Sequence, residues 1–83
     1  MQYRFYNDPS HAWLAVKRIE LLRLGIINKI SPYSYQKGKT VYLEEDDDAR
    51  KFIETKKALN EEITIKEIYH KNTPIRHYKS FSI

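Results

Sequence analysis

An 83-residue chain without a single cysteine has to hold itself together by apolar packing alone. No disulfide can staple it, and no thiolate can ligate zinc or act as a nucleophile. A domain of this size buries only roughly 60% of the surface its unfolded chain exposes, so its core is single and thin. Small secreted domains usually depend on disulfide bridges, and their absence makes the cytoplasm the expected compartment. The first six residues hold no apolar run of the length a signal peptide or a membrane span needs, so no membrane association is expected. Apolar residues make up 41% of the chain and are spread evenly along it. That composition predicts one folded domain over residues 1–83 rather than a disordered chain.

The formal net charge of +4 is segregated. Residues 1–43 carry seven basic and two acidic side chains, residues 44–62 four and eight, and residues 63–83 four and one. An acidic middle between basic ends predicts a surface with both signs on it, a weaker nucleic-acid signal than a uniformly basic chain would give.

Aromatic residues 3–6 read as a short strand, and the turn formers Asn7, Asp8, Pro9 and Ser10 reverse the chain. Residues 11–16 alternate with apolar groups on both faces (Ala12, Leu14 and Val16 against Trp13 and Ala15), which predicts a central strand. Residues 17–24 read as a short helix with Ile19 and Leu22, and Leu21 beside them, facing inward. Gly25 ends it in the left-handed conformation, and Ile26 supplies the closing contact. Residues 33–36 and 40–44 flank Lys37-Gly38-Lys39 as a hairpin, with Tyr33, Tyr35, Val41 and Leu43 as candidates for its buried face. Ala49, Phe52, Ile53 and Leu59 recur at helical spacing, one of the preceding aspartates is expected as N-cap, and Asn60 terminates the helix. Ile63 and Ile65 point inward from the next strand, and Ile68 breaks its phase as a bulge would. Residues 70–74 form a turn, and residues 75–81 a last edge strand. The order predicts an α+β fold: a small antiparallel sheet of four to six strands with two helices on one face, a βαββαβ-like core with extra terminal strands.

The densest charge feature is the run Glu44, Glu45, Asp46, Asp47 and Asp48. Its oxygens could hold a hard cation, but the run lacks the glycine and distal glutamate of a calcium loop. It could also imitate phosphate spacing and occupy a basic site on another protein, or simply cap a helix and face water. The seven tyrosines suit protein interfaces and single-strand nucleic-acid surfaces alike, or pack with their hydroxyls in water. His11, His70 and His77 match no metal-ligand spacing. Asp8 and His11 could form an acid–base pair, but on a turn a structural contact is the simpler reading. No glycine-rich phosphate loop, catalytic triad order or zinc-protease helix is present. No catalytic residue, metal or cofactor is therefore expected.

Several stretches stand together: Tyr6-Asn7-Asp8-Pro9-Ser10-His11-Ala12-Trp13-Leu14, Leu24-Gly25-Ile26, Ile30-Ser31-Pro32-Tyr33-Ser34-Tyr35, Val41-Tyr42-Leu43-Glu44-Glu45-Asp46-Asp47-Asp48-Ala49 and Pro74-Ile75-Arg76-His77-Tyr78. As a set they resemble a group of small accessory proteins of bacteriophages, prophages and plasmids, over nearly the whole chain. The chain departs from that group at Ala12, where the group has a glycine, and at Lys17, where it has a proline. The resemblance carries over no catalytic residues. It implies an accessory gene of a mobile element, and such proteins often block host defence, anti-CRISPR and anti-restriction proteins among them.

Two functions are then expected to compete. In the first, the chain is a non-enzymatic inhibitor that binds a host protein or protein–nucleic-acid defence complex. Glu44, Glu45, Asp46, Asp47 and Asp48 with Tyr33 and Tyr35 would cover a basic nucleic-acid channel. In the second, Arg4, Lys37, Lys39, Arg76 and Lys79, with the same two tyrosines, bind nucleic acid directly. The sequence carries no signal for oligomeric state.

Overall fold

The computed structural model describes residues 2–83. In chain order the elements are β1 (Gln2–Asn7), β2 (Ala12–Lys17), α1 (Arg18–Arg23), β3 (Tyr35–Lys37), β4 (Thr40–Glu44), α2 (Asp48–Ala58), β5 (Thr64–Tyr69) and β6 (Lys79–Ser80), with 3-10 turns at Ile27–Lys29 and Pro74–His77. The fold is α+β. Its six strands form one sheet in the order β5-β1-β2-β4-β3-β6, which makes β2 an interior strand as its two apolar faces require.

The sheet is mostly antiparallel, but β5 runs parallel to β1, a departure from the wholly antiparallel arrangement expected. The cause is the connection. A hairpin reverses direction, whereas the α2 crossover returns the chain to the starting end of the sheet, so β5 runs with β4 and with β1. The N-terminal strand lies between β5 and β2. β5 also has no bulge: its six residues pair in unbroken register with β1, Ile68 against Tyr6. At the sheet's margin it is exposed along most of its length, Ile65 included.

Leu14 pairs with Phe5 on one side and Leu43 on the other, and Val16 pairs with Val41. Pairing partners share a face, so these side chains form one apolar surface. Leu21 of α1 and Ala49 and Phe52 of α2 join the same buried cluster, which sets both helices on that face. The Tyr3 and Phe52 rings meet edge to face there, with centroids 5.1 Å apart. Of the three apolar positions expected inward on α1, only Leu21 is buried; Ile19 is 71% exposed and Leu22 is exposed too. Leu59, just past the end of α2, is also exposed.

Both helices end by the same device. The Gly25 and Ile26 amides donate to the Leu22 and Leu21 carbonyls at 3.1 Å each, with Gly25 at φ 72°. The Asn60 and Glu61 amides donate to Lys57 and Lys56 at 3.0 Å each, with Asn60 at φ 57°. The second closure sets the Glu61 carboxylate beside Lys56, whose side chain is 3% exposed. The Lys56 ammonium donates to Glu61 at 2.8 Å and to Glu20 of α1 at 3.0 Å. Tyr3 of β1 donates its hydroxyl to Glu20 at 2.7 Å, so one ionic cluster ties both helices to the sheet. Burial alone would lower the Lys56 pKa, but its bonds to Glu61, Tyr3 and Glu20 raise it above the ordinary range.

The C-terminal segment differs most from expectation. Residues 74–77 turn as a 3-10 helix, and only Lys79–Ser80 is strand. Pro74 opens that turn with its φ already set and no amide to satisfy. Ile75 and Phe81 are buried, while His77 and Lys79 are exposed.

Candidate functional site

The site is built around a pin. Ser34 is fully buried, and its hydroxyl donates to Asp48 Oδ2 at 2.6 Å while accepting the Glu44 amide at 3.0 Å. Ser31 adds its amide at 3.0 Å and its hydroxyl at 2.7 Å to the same Asp48 oxygen. The anchored loop leaves the neighbours of Ser34, Tyr33 and Tyr35, to project outward. Tyr33 is 80% exposed. Tyr35 pairs with Tyr42 in β4, one position from Val41, and so lies on the face opposite the helices. The expectation that Tyr33 and Tyr35 share a buried face with Val41 and Leu43 is therefore corrected.

The acidic run divides by task. Asp48 is fully buried and binds the serine loop, so it takes no part in a surface. The expected aspartate N-cap is absent: Asp47 holds the cap position, but its side chain makes no capping bond to a helix amide. Glu44 caps instead, its carboxylate accepting the amides of Asp46, Asp47 and Asp48 at 2.8–2.9 Å. Asp47 pairs with Lys51 at 3.2 Å and Arg50 at 3.3 Å, and these two cations hold its carboxyl below the usual range. Glu45 and Asp46 are exposed and have no ion pair among the described residues.

Glu44, Glu45, Asp46 and Asp47 line one cleft of about 640 Å³ together with Tyr33, Tyr35, Ser31, His11, Ala12, Trp13 and Arg76. The structure thus gathers six of the seven residues of the acidic–tyrosine set and adds Trp13, His11 and Arg76. Trp13 is 3% exposed, with its ring centroid 5.8 Å from His11 and 6.1 Å from Tyr35. The sequence signal for Trp13 was its position facing out of a strand whose other face is wholly apolar.

The basic member of the cleft is already occupied. Arg76 donates to Asp8 Oδ2, while Asp8 Oδ1 accepts the amides of Ser10 and His11 at 2.9 Å each. Burial would raise the Asp8 pKa, but those amides and the guanidinium outweigh it and bring it down to about 2. Asp8 contacts the His11 amide and not its ring, so the pair serves the turn. The cleft presents aromatic rings and carboxylates, the two groups that attract a guanidinium or an ammonium ion.

The basic set does not assemble. Arg4 and Lys37 lie on the helix-free face of the sheet, and Lys39 lies in the hairpin turn. Arg76 is in the acidic cleft. Lys79 pairs with Gln36, itself opposite Val41, so it lies towards the helix side at the β6 edge. Among the described residues, no group of three or more His, Asp or Glu side chains is placed to hold a metal ion, and no helix is long and apolar enough to cross a membrane. No protein-family model, curated protein or solved structure matches this chain.

Proposed function

We propose that this protein works by binding rather than by catalysis. Its acidic cleft takes a basic protein surface of the kind that lines a nucleic-acid channel, and in doing so inhibits a bacterial defence complex of the anti-CRISPR or anti-restriction type. The observation that carries this reading is the meeting of Tyr33, Tyr35 and Trp13 with four carboxylates in a single cleft. An arginine or lysine entering it would lie against an aromatic ring with its charge met by Glu45 and Asp46. Tyrosine and tryptophan are favoured at interface centres because they supply contact area, and fixed carboxylates steer a cationic partner inward. The resemblance to phage accessory proteins supplies the biological setting.

The test is expression in a panel of bacterial strains that each carry one defence system, challenged with a phage that system restricts. The wild-type protein should raise plating efficiency in at least one strain, and Glu45→Lys/Asp46→Lys should abolish the rise. No rise in any strain contradicts inhibition. A rise that survives the double substitution contradicts the role of the cleft.

A further inference from the structure

We infer that the helix-free face of the sheet is a separate site for single-stranded nucleic acid, assembled from Tyr6, Tyr42 and Tyr78 with Arg4, Lys17, Lys37 and Lys66.

The strand register puts these residues together. Across the sheet, Lys66, Arg4, Ala15 and Tyr42 stand side by side on β5, β1, β2 and β4. In the next row on the same face, Lys17, Thr40 and Lys37 stand side by side. Ala15 is the small residue of its row, so it leaves a furrow between Arg4 and Tyr42. A concavity of about 460 Å³ opens there, with Arg4, Tyr6, Ala15, Lys17, Thr40 and Tyr42 among its lining residues.

The aromatic groups form a chain. The Tyr6 ring lies 6.2 Å from Tyr42, and Tyr42 lies 5.3 Å from Tyr78. The Lys37 ammonium sits 4.8 Å over the Tyr78 ring. Close packing is also visible in the Tyr42 hydroxyl, whose pKa is raised by burial and by Tyr78 and Tyr6.

Charge selects the occupant. Arg4, Lys17 and Lys66 are exposed and have no ion pair among the described residues. The one carboxylate lining the concavity, Glu20, is already held by Lys56 and Arg23. Glu44 shares the face, but it lies at the other end of β4 with its oxygens on the Asp46, Asp47 and Asp48 amides at the start of α2. Four cations beside three rings in edge and tilted contact match phosphates beside bases. Single strands, whose bases can unstack, are the form such a surface takes up.

The site adjoins the acidic cleft, since Tyr6 pairs with Trp13 and Tyr42 with Tyr35, but its seven residues are not among those lining the cleft. Fluorescence anisotropy of labelled oligo(dT) and oligo(rU) tests it. We expect saturable binding, weakening about 50-fold between about 50 and 200 mM salt, as four phosphate contacts on a single strand require. Arg4→Glu/Lys66→Glu should halve the log–log salt slope from about −3 to about −1.5. Tyr42→Leu should weaken binding about tenfold, with the circular dichroism of both variants unchanged. Glu45→Lys/Asp46→Lys should bind the oligonucleotides at least as well as wild type, which separates this site from the cleft. Absence of binding at low salt, preference for duplex, or saturable binding of polyglutamate in place of the oligonucleotides would each overturn the assignment.

Discussion

Ser34 and Asp48 share a hydrogen bond of 2.6 Å between two fully buried side chains. That bond joins the loop bearing Tyr33 and Tyr35 to the first turn of α2. It makes Asp48 a structural member of an acidic run whose other members face the cleft. Asp48→Ala strands the Ser31 and Ser34 donors and should cost about 3 kcal/mol. Asp48→Asn keeps an acceptor and should cost less. Urea unfolding of the two variants checks the order, and equal stability of Asp48→Ala and wild type would remove the pin.

The Asp8 carboxylate, held by the His11 and Ser10 amides and by Arg76, makes stability depend on acid. The folded Asp8 pKa of about 2 lies below the ordinary carboxyl value, so between the two the unfolded chain binds more protons than the folded one. The contribution is present above the unfolded value, near pH 4, and is lost as pH falls towards 2. Thermal melts across this interval should drop steeply for wild type. Glu61, also brought down to about 2 by Arg23 and Lys56, adds to the drop. Asp8→Asn should flatten only part of the acid limb, and an unaltered limb would contradict the lowered Asp8 pKa.

Thr73 is 1% exposed, and its hydroxyl has no hydrogen-bond partner among the described residues. Valine has nearly the same shape and leaves no polar group to desolvate. Thr73→Val should raise stability by about 1 kcal/mol. A melting temperature below that of wild type would mean that the hydroxyl is satisfied.

The parts of this fold written in local chemistry are legible in the sequence. Gly25 and Asn60 stop their helices because only a residue tolerant of positive φ fits there. Gly38 turns the hairpin for the same reason. The parts set at long range are not legible. With only six residues, α1 has too few apolar positions for periodicity to choose between Ile19, Leu21 and Leu22. The parallel pairing of β5 follows from where the α2 crossover lands, which no spacing encodes. The cleft was half legible. The acidic run and the two tyrosines lie close in sequence, but Trp13 and Arg76 reach them only through strand pairing and the ion pair with Asp8. Asp48 looks like its acidic neighbours until its burial is known.

Trp13 is the single tryptophan of the chain and lines the acidic cleft, so its fluorescence reports directly on what enters there. Titration with a short arginine-rich peptide, alongside calorimetry, measures the central claim. The predicted result is a saturable emission change that weakens with salt and is lost in Glu45→Lys/Asp46→Lys, whose melting temperature stays near that of wild type. Binding of equal strength in the double variant, or no change in Trp13 emission while the peptide binds, would contradict it.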